Sequence, residues 1–142
     1  SFLPNKKALP TSPMKTKSVD PSGHLTLAVS DFRKSKRFYT ELFEWLGFKQ
    51  ISGAAWVTQA GFGIWVRKAR YSKPRYTFFA PGIHHLCFKT ETKRKVDEVY
   101  RRLTAKRVPI FDAPKLYPEY TSKYYAVFFA DPDGIKIEVA YY

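Results

Sequence analysis

The sequence predicts an α+β fold of two tandem units, each running in the order strand, helix and three strands. Two observations predict it. Apolar residues change from a period of two to a period near 3.6 and back again, twice along the chain, as alternating strands and amphipathic helices require. A shift of 61 residues also places His24 on His85 and Tyr39 on Tyr100. Together they indicate an internal duplication of about sixty residues.

The first unit starts with a half-buried strand over residues 23–30, where leucine and valine alternate with His24, threonine and alanine. Ser30 or Asp31 then supplies the N-cap oxygen of a helix that Gly47 ends. Short strands are expected next, at residues 48–51, 54–58 and 63–67. Glycines between these strands supply their turns.

The second unit repeats this order after a basic, proline-containing linker at residues 68–82. Its helix, over residues 92–106, carries Val96, Val99 and Leu103 on one amphipathic stripe. Strands are predicted at residues 83–89, 108–111, 124–130 and 135–140. The turn between the last two reads Asp-Pro-Asp-Gly, in which the proline sets φ and the glycine accepts a positive φ.

The length of 142 residues suits one domain, with the two units at residues 23–67 and 83–142. Residues 1–22 are predicted to form an extended arm, because they contain prolines and lysines but no sustained apolar run. No stretch of the sequence reaches the roughly 20 apolar residues of a spanning helix, so we expect no membrane association.

The chain is strongly basic, with 25 Lys and Arg against 12 Asp and Glu and a net charge of +13. Most of this excess lies in the arm, on polar helix faces and in the linker, which is typical of a solvated surface. Basic and aromatic residues alternate over residues 67–79, the segment best suited to single-stranded nucleic acid. Because no base-reading motif accompanies it, we do not expect nucleic acid to be the partner. A lone cysteine, Cys87, fits a reducing, cytoplasmic location.

Strand alternation places three side chains that can bind a metal on one face of the predicted sheet. In the first strand the leucines face the helix, so His24 points to the opposite side. The same alternation directs His85 and Glu138 away from the helices, while His84 is expected to point inward as a structural residue. Two imidazoles and one carboxylate suit a divalent first-row metal and leave positions open for substrate oxygens.

Three segments give the chain its resemblance to a known family. They are His24-Leu-Thr-Leu-Ala-Val-Ser-Asp31, Gly82-Ile-His-His85-Leu-Cys-Phe88 and Asp131-Pro-Asp-Gly134-Ile-Lys-Ile-Glu138. Over residues 23–142 the sequence resembles the vicinal oxygen chelate superfamily, which holds glyoxalase I, extradiol dioxygenases, fosfomycin-resistance transferases and bleomycin-binding proteins. The resemblance implies two βαβββ modules that form a curled mixed sheet around a cleft, with the helices outside.

Carried over residue by residue, the metal ligands of the family fall on His24, His85 and Glu138. The fourth protein ligand of glyoxalase I has no equivalent, because the last strand of the first unit offers Arg67 or, after a two-residue slip, Trp65. The resemblance therefore implies a three-ligand site that holds one divalent metal, with Fe, Mn, Zn, Ni and Mg all open.

Further candidate residues are expected to line the cleft. The acid or base candidates precede the seventh strand and are Tyr117, Glu119, Tyr120 and Tyr124. The candidates for substrate contact are Arg67, Trp65 and Cys87. Among these, Arg67 suits the orientation of an anionic group toward the metal.

The leading hypothesis is a divalent-metal-dependent glyoxalase-like enzyme: a lyase or isomerase, a ring-cleaving dioxygenase or a transferase. Its substrate would be a small oxygen-rich molecule that chelates the metal through vicinal oxygens, and the hypothesis allows this molecule to be an anion. The alternative is a metal-free protein of the bleomycin-resistance type that sequesters a ligand in the same cleft. We expect a homodimer, and the cleft closes either within one chain or between two.

Overall fold

The computed structural model describes residues 19–142, so most of the predicted arm at residues 1–22 lies outside the described residues. The N-terminal module comprises β1 His24–Val29, α1 Phe32–Trp45, β2 Lys49–Ser52, β3 Ala55–Val57 and β4 Gly63–Lys68. The C-terminal module comprises β5 Leu86–Lys89, α2 Lys93–Ala105, β6 Ile110–Leu116, β7 Tyr125–Ala130 and β8 Lys136–Tyr141. The predicted α+β class and the repeated order of strand, helix and three strands are confirmed.

Each module forms a four-stranded mixed sheet with the same topology. The strand order is β1-β4-β3-β2 in one sheet and β5-β8-β7-β6 in the other. In both sheets the first strand pairs in parallel with the fourth, and the remaining neighbours are antiparallel. The two sheets are separate, so residues 19–142 form two half-sheets rather than one closed sheet.

The turn between the third and fourth strands is the same in both modules. Thr58 Oγ1 and Asp131 Oδ1 each accept the backbone N–H four residues ahead, at 3.0 Å and 2.8 Å. Gly61 and Gly134 occupy equivalent places in these turns and adopt positive φ values of 99° and 81°, a region that side chains disfavour. This shared detail supports the internal duplication that the sequence predicts.

Both helices begin at a side-chain cap. Asp31 accepts the backbone N–H of Lys34 at 3.0 Å, and Thr92 accepts that of Lys95 at 3.1 Å. Each cap satisfies an N–H group that the first helical turn leaves without a partner. Of the two N-cap candidates for α1, the structure selects Asp31. Neither helix in the described residues is long and apolar enough to cross a membrane.

The two modules share one hydrophobic core, which lies between their helix-bearing faces. Helix α1 reaches the C-terminal module, where the Phe43 ring lies 5.5 Å from the ring of Phe88 and Phe38 lies 6.4 Å from Phe129. Such aromatic pairs contribute stability through buried area and ring geometry. The opposite face of each sheet therefore points away from this core.

A buried hydrogen bond also joins the modules. The Tyr39 hydroxyl of α1 donates to Asp131 Oδ2 at 2.6 Å, and both residues are almost fully buried. Burial is the main reason that the pKa of Asp131 lies above its ordinary value. Burial and the nearby Asp131 charge raise the pKa of Tyr39 well above its ordinary value. At the edge of the same contact, the Ser30 hydroxyl donates to Asp133.

Two strands differ from the sequence prediction by more than one residue at a boundary. Strand β6 spans Ile110–Leu116 instead of residues 108–111, because it continues through Pro114. The proline is tolerated since β6 is an edge strand whose pairing with β7 contains two register shifts. Strand β5 begins only at Leu86, so His84 precedes the strand and is exposed instead of pointing inward.

Candidate functional site

His85 and Glu138 meet on the open face of the C-terminal sheet. Glu138 lies on β8 and pairs in register with Cys87 of β5, two residues beyond His85. His85 Nε2 is 3.0 Å from Glu138 Oε2. Glu138 is only 2% exposed, whereas 34% of the His85 side chain reaches solvent. The structure thus brings two of the predicted ligands together as a buried carboxylate and an accessible imidazole.

Tyr124 and Cys87 surround the same carboxylate. The Tyr124 hydroxyl donates a hydrogen bond to Glu138 Oε1 at 2.5 Å, and Cys87 Sγ lies 4.0 Å from that hydroxyl. Burial, followed by the hydrogen bond to Glu138, raises the pKa of Tyr124 above its ordinary value. Burial, followed by the Glu138 charge, raises the pKa of Cys87 to about 12. Both shifts favour the protonated hydroxyl and the protonated thiol at neutral pH.

His84, expected from the sequence to point inward, instead contacts the site. Its Nδ1 lies 2.8 Å from His85 Nδ1, so one of the two nitrogens carries the shared proton. The Tyr76 hydroxyl donates to the His84 backbone oxygen at 2.7 Å and anchors that residue. A ring nitrogen held in this way fixes the orientation of the opposite nitrogen, Nε2 of His85. The adjacency of the two histidines was the available sequence signal.

His24 lies on the open face of the N-terminal sheet, apart from the other two predicted ligands. Its ring packs edge-on against Trp65, with centroids 4.9 Å apart and planes at 71°. A cavity of about 370 Å³ opens beside it. Its lining includes His24, Thr26, Ser52, Ala54, Trp65 and Arg67. Three predicted site residues therefore share a cavity of the size that binds small molecules.

Strand register shows which residue of the N-terminal module corresponds to Glu138. In the C-terminal module Glu138 pairs with Cys87, and in the N-terminal module Trp65 pairs with Thr26. The shift that relates the two histidines also relates Thr26 to Cys87, so Trp65 is the equivalent of Glu138. Arg67 lies two residues beyond it and is exposed. Of the two alternatives that the sequence left open, the register selects Trp65.

The indole of Trp65 covers the start of its own strand. A Cβ atom at Gly63 would stand 2.3 Å from Trp65 Cζ3, which no side chain can do without moving the ring. Glycine at this position therefore lets the indole lie against the strand and meet the His24 ring edge-on. An apolar ring thus occupies the place that a carboxylate occupies in the C-terminal module.

Between residues 19 and 142, no three His, Cys, Asp or Glu side chains are grouped so that they can hold a metal ion. The reason is topological. The helix-bearing faces of both sheets contribute to one core, and His24 and the His85–Glu138 pair each lie on the opposite face of their own sheet. The predicted ligands of one chain are thus divided between two faces, and the three-ligand set stays a prediction.

The predicted acid or base candidates form a tyrosine cluster beside Glu138. Tyr117 stacks on Tyr120 at 5.8 Å and meets Tyr124 edge-on at 6.2 Å. The buried Tyr117 hydroxyl has no hydrogen-bond partner within the described part of the chain. Burial raises its pKa to about 12. Tyr120 and Glu119 are exposed at the rim, so Tyr124 is the candidate with a direct contact to a predicted ligand.

A family model described as the Glyoxalase/Bleomycin resistance protein/Dioxygenase superfamily matches residues 22–139. The chain belongs to this superfamily. The match spans both modules and confirms the resemblance to the vicinal oxygen chelate proteins that the three sequence segments indicate. Members of the superfamily bind small-molecule substrates and typically a divalent metal.

Individual relatives share this fold over most of their length. The uncharacterized protein YqjT of Bacillus subtilis (strain 168) is 33% identical over 121 residues, which cover 82% of this chain and 94% of the relative. The structure of virulence protein STM3117 from Salmonella typhimurium is 28% identical with a TM-score of 0.59, covering 88% of this chain and 98% of that one. A glyoxylase/bleomycin resistance protein/dioxygenase domain from Frankia sp. EAN1pec has the same fold, with a TM-score of 0.70 at 23% identity over 87% of this chain and 93% of that one.

The donor atoms of the His85–Glu138 pair are of the types that a divalent metal accepts. The 3.0 Å separation of Nε2 and Oε2 is that of a direct hydrogen bond or ion pair, and a metal held by both residues would replace this contact. The His85 ring is also held by His84, which fixes the direction of its other nitrogen.

Proposed function

We propose that this superfamily member is a divalent-metal-dependent, glyoxalase-like enzyme that acts on a small oxygen-rich molecule. His85 and Glu138 of one chain, together with His24 of a second copy, would hold the metal. The observation that carries the proposal is the 3.0 Å approach of His85 Nε2 to Glu138 Oε2 on a face open to ligands. A single metal bound there supplies Lewis-acid chemistry to two vicinal oxygens of the substrate.

The second copy is needed because the shared core keeps the two open faces of one chain apart. In a twofold dimer, the N-terminal module of each chain can lie over the C-terminal module of the other, which creates two equal sites. Strand β1, which begins at His24, and strand β5, which follows His85, are both edge strands and are available for such an arrangement. A homodimer is therefore part of the proposal.

Other residues of this chain would orient a ligand, donate a hydrogen bond and contact the substrate. His84 holds the His85 ring, so that Nε2 stays directed at Glu138. The Tyr124 hydroxyl donates to Glu138 Oε1, and it would donate to a developing oxyanion instead once it released that carboxylate. Arg67 and Trp65 line the cavity beside His24, where they would contact the substrate from the other half of the site.

Metal content after purification tests this proposal. Elemental mass spectrometry of the wild type should find about one equivalent of divalent metal per chain. His85→Ala and Glu138→Gln should lose most of it, while Glu91→Gln, at an exposed carboxylate, is the matched control that retains it. Equal and negligible metal in the wild type and in His85→Ala would overturn the enzyme proposal.

A second candidate function is a metal-free protein that sequesters a ligand in the same cleft. The observation in its favour is that both Glu138 oxygens already have partners, His85 on one side and Tyr124 on the other. A carboxylate satisfied in this way needs no ion. Ligand binding that persists unchanged in chelator-treated protein would support this candidate over the enzyme.

The basic linker gives no additional support to nucleic-acid binding. Tyr76 donates to the His84 backbone, and Phe78 packs 5.8 Å from Phe111. These two rings contact the C-terminal module, and the exposed aromatic side chains of the linker are Tyr71 and Phe79. No base-reading motif accompanies them. A small molecule therefore remains the proposed partner, and a cytoplasmic location remains a prediction from the single cysteine.

A further inference from the structure

Lys136 is held on the same sheet face as the His85–Glu138 pair. It is the first residue of β8, two positions before Glu138, and strand alternation puts both side chains on one side. Its ammonium nitrogen lies 4.8 Å from the ring centroid of Phe78, 4.9 Å from that of Phe128 and 5.8 Å from that of Phe111. Three aromatic rings thus surround one cation.

This ammonium carries an uncompensated charge. The ion pairs of residues 19–142 place Lys95, Arg102 and Lys106 on glutamates, and none of them involves Lys136. Aromatic faces attract a cation through their quadrupole but do not neutralise it. Lys136 therefore presents a fixed and partly desolvated positive charge, which is the state in which a cation binds an anion most strongly.

The Lys136 ammonium and the ring of His85, a proposed metal ligand, contact the same aromatic side chain. Phe128 contacts both groups, with its centroid 5.8 Å from the His85 ring and 4.9 Å from the Lys136 ammonium nitrogen. A small molecule bound at His85 and Glu138 would therefore extend toward Lys136 across the Phe128 ring.

The fold itself does not require a lysine at this place. By the strand register that relates Trp65 to Glu138, the equivalent of Lys136 in the N-terminal module is Gly63. That module forms the same sheet without a charge there. The lysine thus distinguishes the C-terminal half of the site from its duplicate.

We propose that Lys136 determines substrate specificity by binding an oxyanion of the substrate, a carboxylate or a group of the same chemistry. The inference rests on the proposed function and narrows it. The substrate is a small molecule whose vicinal oxygens bind at the site and whose negative charge lies within reach of Lys136.

Oxalate and oxamide are suitable probes, because they share one skeleton and differ in charge. Calorimetric titrations would use wild type, Lys136→Met, which keeps the aliphatic stem, and Lys136→Arg, which keeps the charge. Lys115→Met is the matched control, since that ammonium lies over the single ring of Tyr117 on the same sheet. Each protein would be titrated after loading with Mn²⁺ and again after chelator treatment.

In metal-loaded protein, Lys136→Met should weaken oxalate binding about tenfold or more, as expected for a lost charge-assisted hydrogen bond. Oxamide affinity and metal content should stay within about twofold of the wild type. Lys136→Arg and Lys115→Met should keep the preference for oxalate. An unchanged ratio of oxalate to oxamide affinity in Lys136→Met would overturn the role of Lys136 and leave the metal proposal intact.

The metal-free titration separates the two proposals. If the wild type takes up no Mn²⁺ but binds oxalate through Lys136, the enzyme proposal fails and the role of Lys136 stands. If the wild type binds no oxalate in either form, the role of Lys136 is overturned.

Discussion

At the scale of single residues, the orientation of His85 depends on a neighbour that lies outside the strand. Because β5 begins at Leu86, His84 is free of the alternation that would turn its side chain inward. The two imidazoles can then meet at 2.8 Å. A histidine whose second nitrogen is already held is preorganised to bind an ion through the first.

His84→Ala is expected to weaken metal binding about 10- to 100-fold, because it removes the group that orients His85. Calorimetric titration with Zn²⁺ measures this, and Ile83→Ala, next to it in the chain and partly exposed, is the control. The fold should survive, since His84 is exposed. Wild-type affinity in His84→Ala would show that His84 does not position the ligand.

At the scale of elements, β4 and β8 place different chemistry at one register position. Trp65 and Glu138 occupy equivalent positions in the two modules. The indole can lie there only because Gly63 leaves room for it. The duplicated strand thus supplies an apolar wall in one half and a carboxylate in the other.

Gly63→Ala should drive the indole away from His24, because the new Cβ would overlap Trp65 Cζ3. The ring is partly exposed and can rotate, so we expect a loss of only about 1 kcal/mol in the free energy of unfolding. The His24 ring protons should shift in NMR spectra. Gly53→Ala, where an added Cβ meets only Lys36 Nζ at 3.6 Å, is the control, and unshifted His24 protons in Gly63→Ala would contradict this packing.

The helix and strand boundaries show which parts of the fold the sequence patterns predict. Periodicity predicts both helices and the order of strands, because amphipathic faces are local properties. It misses the length of β6, since Pro114 ends a strand pattern but is tolerated at a sheet edge. Periodicity also does not decide whether Trp65 or Arg67 is the residue of the N-terminal module that is equivalent to Glu138. Strand pairing sets the register, and a local sequence pattern does not reveal that pairing.

At the scale of the whole molecule, the two modules are joined by a core that contains a polar contact. Tyr39 donates to Asp131 at 2.6 Å within that core. Sequence alternation predicts which face of each sheet carries His24 and Glu138. It does not predict that the helix-bearing faces of both sheets share one core, and this packing accounts for the separation of the predicted ligands within one chain.

The Tyr39–Asp131 contact gives stability an alkaline dependence. Burial, then the Asp131 charge, raises the pKa of Tyr39 well above 10.0, so the unfolded chain loses this proton first. The protonated Tyr39 hydroxyl therefore makes its full contribution to the free energy of unfolding below about pH 10, and this contribution declines as the pH rises further. Tyr39→Phe should reduce that decline by up to about 1.4 kcal/mol per pH unit.

Urea unfolding between about pH 8 and pH 11 measures this slope. Tyr71→Phe, at an exposed tyrosine, should leave the wild-type slope unchanged. Parallel stability curves for the wild type and Tyr39→Phe would show that the Tyr39 proton does not contribute.

The central claim is that one metal site is shared by two chains, and mixing two inactive variants tests it. His24→Ala and His85→Ala homodimers each lack a ligand in both sites, whereas a mixed dimer has one complete site. Co-refolding equal amounts should therefore restore metal to about a quarter of the wild-type content, since half of the dimers are mixed and each has one intact site. Metal content that stays at the level of the separate variants would contradict the shared site.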